Sequence, residues 1–197
     1  MTPPQQTSGQ PLLPPTPAQT VGPFYGYALP FPGGPEAVPP GRPDAITVHG
    51  VVYDGSGAPI PDALLEFWQA DPDGTRSGAP GSLRRDPVTG GFLGRHPHVF
   101  TGFTRVATDA DGGYAVHTLA PPSSAPYLAV AVFARGLLHH LYTRAYLPVD
   151  GAADDALLGR LAPERRATLL AVPGPDRTYR FDVRLQGENE TVFLEHA

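Results

Sequence analysis

The sequence predicts an all-β fold: a two-sheet β-sandwich with long loops, one or two short helices and an extended Pro-rich arm at its N-terminus. Three observations predict it. From Ile46 onward, short runs of β-branched and aromatic residues alternate with clusters of Gly, Pro, Asp and Ser. Helical periodicity is scarce. Finally, 26 Pro and 23 Gly punctuate a 197-residue chain that is 41% hydrophobic and only 17% charged. Such a composition has apolar surface enough to offset the entropy of ordering.

Residues 1–43 form the arm. Pro3-Pro4, Pro14-Pro15, Pro17, Pro23, Pro30, Pro32, Pro35 and Pro39-Pro40 exclude both a long helix and a central strand. Within the arm Thr20–Tyr27 is aromatic, so this stretch is expected to dock on a surface. Residues 44–197 are expected to form one β-sandwich domain, of a size that buries a core without staples. Its first strand is Ile46–Tyr53, ended by the turn residues Asp54-Gly55-Ser56-Gly57. Ala63–Gln69 follows, anchored by Leu64, Phe67 and Trp68. Phe103–Ala107 and Tyr114–Thr118 flank Asp109-Ala110-Asp111-Gly112-Gly113, a hairpin signal. Tyr127–Phe133 is almost wholly apolar, as expected of a central strand covered on both faces. Leu141–Leu147 and Tyr179–Leu185 alternate, and Thr191–Leu194 is a candidate edge strand. Short helices are expected over Asp154–Leu161 and Pro163–Leu170, the second with Pro at N1 and Glu164 in its first turn. Asp71–Thr101 is too long and too weakly periodic for a plain connection, and reads as a functional or interfacial loop.

Composition removes several chemistries. With no Cys there are no thiolate zinc sites, iron–sulfur clusters, thiol nucleophiles or redox dithiols. All 14 basic residues are Arg, which removes Schiff bases and phosphate-loop lysines. A net charge of −5 without charge blocks argues against nucleic-acid or anionic membrane surfaces. The longest apolar run, residues 125–134, is about half the roughly 20 residues a membrane helix needs. Without a visible secretory pattern, a cytoplasmic location is the expectation.

Few motifs carry chemistry on their own. His96-Pro97-His98 with Asp86 contains potential metal donors, but no third ligand stands at a telling spacing and the pair reads as exposed loop histidines. His139-His140, as neighbours on a strand, would face opposite ways, one buried and one solvated. Asp109-Ala110-Asp111-Gly112 lacks the remaining ligands of a calcium loop and reads as a turn. Asn189-Glu190-Thr191 matches a glycosylation acceptor that would stay silent without secretion. No Gly-x-Ser-x-Gly elbow, phosphate loop or dinucleotide fingerprint occurs. Arg135 directly follows the apolar run and precedes Gly136. A guanidinium there can meet a ligand carboxylate bidentately, or form an ion pair with one of the chain's 19 acidic residues.

Together these segments resemble the intradiol ring-cleaving dioxygenases, and within that family the α subunits of its two-subunit members. The matching segments run nearly the whole length: Pro17–Phe24 in the arm, Val52–Gly57, Glu66–Asp71, Phe133-Ala134-Arg135-Gly136 and Thr143–Tyr146. They continue through Arg165–Leu169, Tyr179–Asp182, Leu185–Glu188 and Glu190–Phe193. Singly each is weak, but in this order they are specific.

The resemblance implies a chain that works beside a β subunit of similar fold, which holds non-haem Fe(III) through two Tyr and two His. The two His follow an Ala-Pro or Pro-Ala pair on a central strand. The equivalent stretch here is Ala125-Pro126-Tyr127-Leu128-Ala129, with neither imidazole. One Tyr ligand would fall near Phe92 and the other within Leu119–Ser124, where no Tyr stands, so no iron site is expected in this chain. The resemblance further implies that Thr20, Gly22 and Pro23 of the arm wall the partner's pocket, with Phe24 where some relatives carry Tyr. It implies too that Arg135 faces the substrate. The implied reaction joins O2 to protocatechuate, cleaving its ring between the two hydroxyl-bearing carbons to give 3-carboxy-cis,cis-muconate. Two other readings stay open here: a non-enzymatic transthyretin-like binding module, and a stand-alone intradiol enzyme acting on catechol or hydroxyquinol with an unusual ligand set.

Overall fold

Period-two burial builds the sandwich. The computed structural model describes residues 25–75, 83–95, 100–148 and 155–195. In chain order the strands are β1 (Ala45–Tyr53), β2 (Leu64–Trp68), β3 (Leu83–Arg85), β4 (Phe92–Arg95), β5 (Phe103–Ala107) and β6 (Gly113–Leu119). They continue with β7 (Tyr127–Phe133), β8 (Leu141–Tyr146), β9 (Val172–Pro173), β10 (Thr178–Arg180) and β11 (Val183–Arg184). The helices are α1 (Tyr25–Ala28), α2 (Ala156–Arg160) and α3 (Pro163–Ala167). No helix among the described residues is long and apolar enough to cross a membrane.

One sheet is built around β1, which alternates strictly and turns Ile46, Val48 and Val52 inward. β6 pairs with it antiparallel, while β10 and β11 run parallel along its other edge and β9 extends the sheet beyond β10. The second sheet has the order β5-β2-β7-β8, every pair antiparallel. Between them Ile46, Val48, Val52, Val116, Phe181 and Val183 meet Leu65, Phe67, Leu128, Val130 and Val132 in one apolar core. A second cluster, Tyr146, Leu158, Leu169 and Val192, seats the two C-terminal helices. α2 begins at the N-cap Asp155, whose carboxylate accepts from the Leu157 amide, and α3 has Pro163 at its start and Glu164 in its first turn.

Residues 31–38 lie across the sandwich rather than away from it. The Gly34 carbonyl accepts from the Arg105 amide and from the Arg95 guanidinium, and the Ala37 amide donates to His117 of β6. The guanidinium groups of Arg95 and Arg105 each lie 5.5 Å from the centre of the Phe31 ring.

Four expectations are corrected. Tyr179–Leu185 is not one strand: it breaks at Phe181-Asp182, where the Asp182 carboxylate replaces a main-chain acceptor for the Val51 amide. The cause lies on the neighbouring strand, because a Cβ on Gly50 would stand 2.0 Å from the Phe181 carbonyl oxygen. Thr191–Leu194 contributes only a bridge from Leu194 to Tyr142, with the Val192 carbonyl tied to the Thr143 hydroxyl. The Asp71–Thr101 segment contains a hairpin, β3 with β4, whose Asp86 carboxylate caps its turn by accepting from the amides of Val88 and Thr89. Lastly β7 is fully covered on one face only: Leu128, Val130 and Val132 are buried, whereas on the other face Ala131 is buried and Tyr127, Ala129 and Phe133 are half-buried.

Gly50→Ala is expected to cost about 2–3 kcal/mol, the overpacking range, and to lower Tm by roughly 4–12 °C in thermal unfolding. Gly159→Ala, in a helix with open space around it, is expected to stabilise by about 0.5–1 kcal/mol. Equal effects at the two positions would contradict the close crossing at Gly50.

Candidate functional site

The site begins where β7 ends. After Phe133 the chain turns through Ala134-Arg135-Gly136-Leu137, closed by the Leu137 amide on the Ala134 carbonyl. Gly136 has φ +84°, the positive value that a type II turn needs at its third residue. Arg135 therefore stands at the corner, its backbone fixed by a buried Ala134 on one side and a left-handed glycine on the other. Its guanidinium closes on Asp62: Nε and Nη2 both lie 2.6 Å from Asp62 Oδ2. The Arg135 side chain keeps 66% of its surface exposed, against 22% for Asp62.

Asp62 is placed by its neighbours. The buried Thr108 hydroxyl accepts from the Ala63 amide and donates to the Ile60 carbonyl, while the Thr108 amide donates to the Ala63 carbonyl. These bonds bracket Asp62 between two clamped residues. Beside it lies Tyr25, buried, with its ring 6.1 Å from that of Phe133. Burial pushes the Tyr25 phenol up to about 12, with the Asp62 charge adding to the shift and Arg135 opposing it.

The outer face of the second sheet adjoins this corner and forms an open cavity of about 410 Å³. Its floor is Ala129 and Ala131, and its walls include Trp68, Tyr127, Phe133 and Arg144. The Arg144 guanidinium lies 4.1 Å over the Tyr127 ring and donates to the Tyr146 hydroxyl, which in turn donates to Asp155. Glu66, on the same face, is held in an ion pair by Arg105.

Of the residues singled out from sequence, Arg135 is placed at a solvent-facing corner in an ion pair, so both of its alternative readings retain a footing in the geometry. Thr20, Gly22, Pro23 and Phe24 lie outside the described residues, which start at the next position, Tyr25. His96 and His98 also lie outside them. His139 and His140 occupy a bend before β8 rather than a strand, and both are exposed, with His140 Nε2 2.6 Å from the Tyr142 hydroxyl. The Asp109 carboxylate accepts from the amides of Asp111 and Gly113, so its own turn occupies it.

At the two positions that the resemblance aligns with iron-binding histidines the chain carries Tyr127 and Ala129. Ala129 has no donor atom, and the Tyr127 ring is packed beneath a guanidinium. Among the described residues no group of three His, Cys, Asp or Glu could hold a metal ion. Sequence reasoning missed Asp62 and Arg144. The pairing of Asp62 with Arg135 spans 73 residues and left no local signal.

Comparison with known proteins places the chain among dioxygenases. It is 39% identical to the protocatechuate 3,4-dioxygenase alpha chain of Burkholderia cepacia, over 91% of this chain and 96% of that one. It is 36% identical to the protein of the same name from Pseudomonas putida, over 93% and 98%. Among solved structures, the dioxygenase domain of a dioxygenase–carbohydrate-binding fusion protein from Streptomyces sp. SirexAA-E matches with a TM-score of 0.53 and 24% identity, over 93% of this chain and 97% of that one. No protein-family model matches the chain.

Two buried phenols give a pH signature. Tyr146, like Tyr25, is pushed up to about 12 by burial, with its bond to Asp155 adding and Arg144 opposing. Both remain neutral in the folded state while the unfolded chain ionises near its ordinary value of 10.0. Their stabilisation is therefore full below about pH 10 and lost as pH rises toward about 12. Urea unfolding across that window should fall more steeply for the wild type than for Tyr25→Phe or Tyr146→Phe. Parallel curves for all three proteins would refute the assignment.

Proposed function

This chain belongs to the protocatechuate 3,4-dioxygenase alpha-chain family, and from that premise we propose that it serves as the α subunit of a hetero-oligomeric protocatechuate 3,4-dioxygenase. In this reading a β subunit holds the Fe(III) that activates substrate and O2. The complex converts protocatechuate and O2 into 3-carboxy-cis,cis-muconate, both oxygen atoms entering the product. The chain itself contributes pocket residues and no metal ligand, in keeping with Ala129, which has no donor atom, at one of the positions that the resemblance aligns with an iron-binding histidine.

The observation that carries the proposal is the state of Arg135. A guanidinium offers five N–H donors in one plane. Asp62 engages only its Nε and Nη2, and the exposed remainder can reach a carboxylate from a partner's site. Arg135 supplies positive potential and hydrogen bonds for the ring carboxylate of protocatechuate. Gly22 and Pro23 of the arm supply close and rigid backbone at the same pocket, flanked by Thr20 and Phe24.

The test is Arg135→Ala in the complex. kcat/KM for protocatechuate should fall roughly 5- to 150-fold, as for loss of a hydrogen bond to a charged group. Catechol, which lacks the carboxylate, should be turned over as before. If KM and kcat for protocatechuate both stay within twofold, Arg135 does not serve the substrate.

A further inference from the structure

We infer that Asp62 is a positioning residue that ties the root of the N-terminal arm, through Tyr25, to Arg135, so that both present one fixed surface to the substrate carboxylate. The inference rests on the reading of Arg135 given above.

Two orphaned atoms point to it. Asp62 places only Oδ2 against Arg135, and its buried Oδ1 has no hydrogen-bond partner among the described residues. The buried Tyr25 hydroxyl likewise has no partner among the described residues. Buried polar atoms rarely stay unpaired, because each forfeits its hydration. Here one orphan is an acceptor and the other a donor, and the Tyr25 phenol interacts electrostatically with both Asp62 and Arg135. The structure does not join the two atoms, but a bond from the Tyr25 hydroxyl to Asp62 Oδ1 would satisfy both and link three residues in a chain.

The frame around that chain is rigid. Thr108 clamps the backbone on both sides of Asp62, the Tyr25 ring packs on Phe133, and Gly136 fixes the corner that carries Arg135. Tyr25 directly follows Thr20–Phe24, the segment assigned to the pocket. An ion pair whose Arg side chain is largely exposed adds little to fold stability. What Asp62 does for a flexible guanidinium is to limit its rotamers, which lowers the entropy lost when a ligand carboxylate is bound.

The test is a mutant cycle in the complex with the iron-binding subunit, read with protocatechuate and with catechol. Asp62→Asn keeps the shape and removes the charge. KM for protocatechuate should rise roughly 3- to 30-fold with kcat within twofold, the coupling expected inside one network. Catechol kinetics and iron content should match the wild type, and Asp62→Glu should recover part of the loss. In an Arg135→Ala background, Asp62→Asn should add less than a further twofold. Tyr25→Phe should raise KM in the same direction by a smaller factor. If Arg135→Ala raises KM but Asp62→Asn does not, the inference is overturned and the role of Arg135 survives. Equal losses with catechol and protocatechuate would make Asp62 merely structural and overturn it as well. If Arg135→Ala itself has no effect, the reading of Arg135 fails, and the inference fails with it.

Discussion

Burial of one face of β7 is the constraint on which the site depends. Leu128, Val130 and Val132 are at most 1% exposed, and each such side chain contributes about 1.5–3 kcal/mol by leaving water. Because side chains alternate, fixing those three fixes the opposite face as Tyr127, Ala129, Ala131 and Phe133. The same register fixes where the strand stops. Phe133 is left to receive Tyr25, and the turn beyond it delivers Arg135 to a corner beside Asp62. A slip of one residue would exchange the two faces, burying the aromatic wall and removing the Arg from its partner.

The opposite face shows what the sandwich can spare. It needs no apolar cover for its own stability, since the core lies on the other side, and its small Ala residues leave an open cavity beneath Arg144 and the aromatic walls. Polar groups on that face are largely committed to one another: Glu66 to Arg105, and Arg144 to Tyr146 with Asp155 beyond it. In the proposed function this divides the labour between subunits. The partner provides metal chemistry, and this chain provides a cation at a rigid corner and the arm that starts beside it.

The legibility of this protein followed the range of the interactions involved. The β-branched and aromatic runs Ile46–Tyr53, Tyr114–Thr118 and Tyr127–Phe133, bounded by turn residues, are local properties, and those strands stand within a residue of their expected bounds. The turn at Asp109–Gly113 was legible because an Asp carboxylate caps its own backbone. The β3–β4 hairpin escaped notice because its strands are short and bulged, without sustained alternation. The break at Phe181-Asp182 depends on Gly50, whose neighbour on β1, Val51, is 131 residues from the Asp182 carboxylate that it bonds. At the site, Arg135-Gly136 was visible as a motif. Asp62 was not, because a carboxylate in a Pro-Asp turn looks like any other turn residue until the fold brings β7 alongside.

The most direct measurement is the iron content and protocatechuate-dependent O2 uptake of this chain purified alone, set against the same chain co-expressed with an iron-binding β subunit. Iron and turnover confined to the co-purified complex are the expected result. Stoichiometric iron with turnover in the lone chain would contradict the division of labour and require a metal site built from residues other than Tyr127 and Ala129.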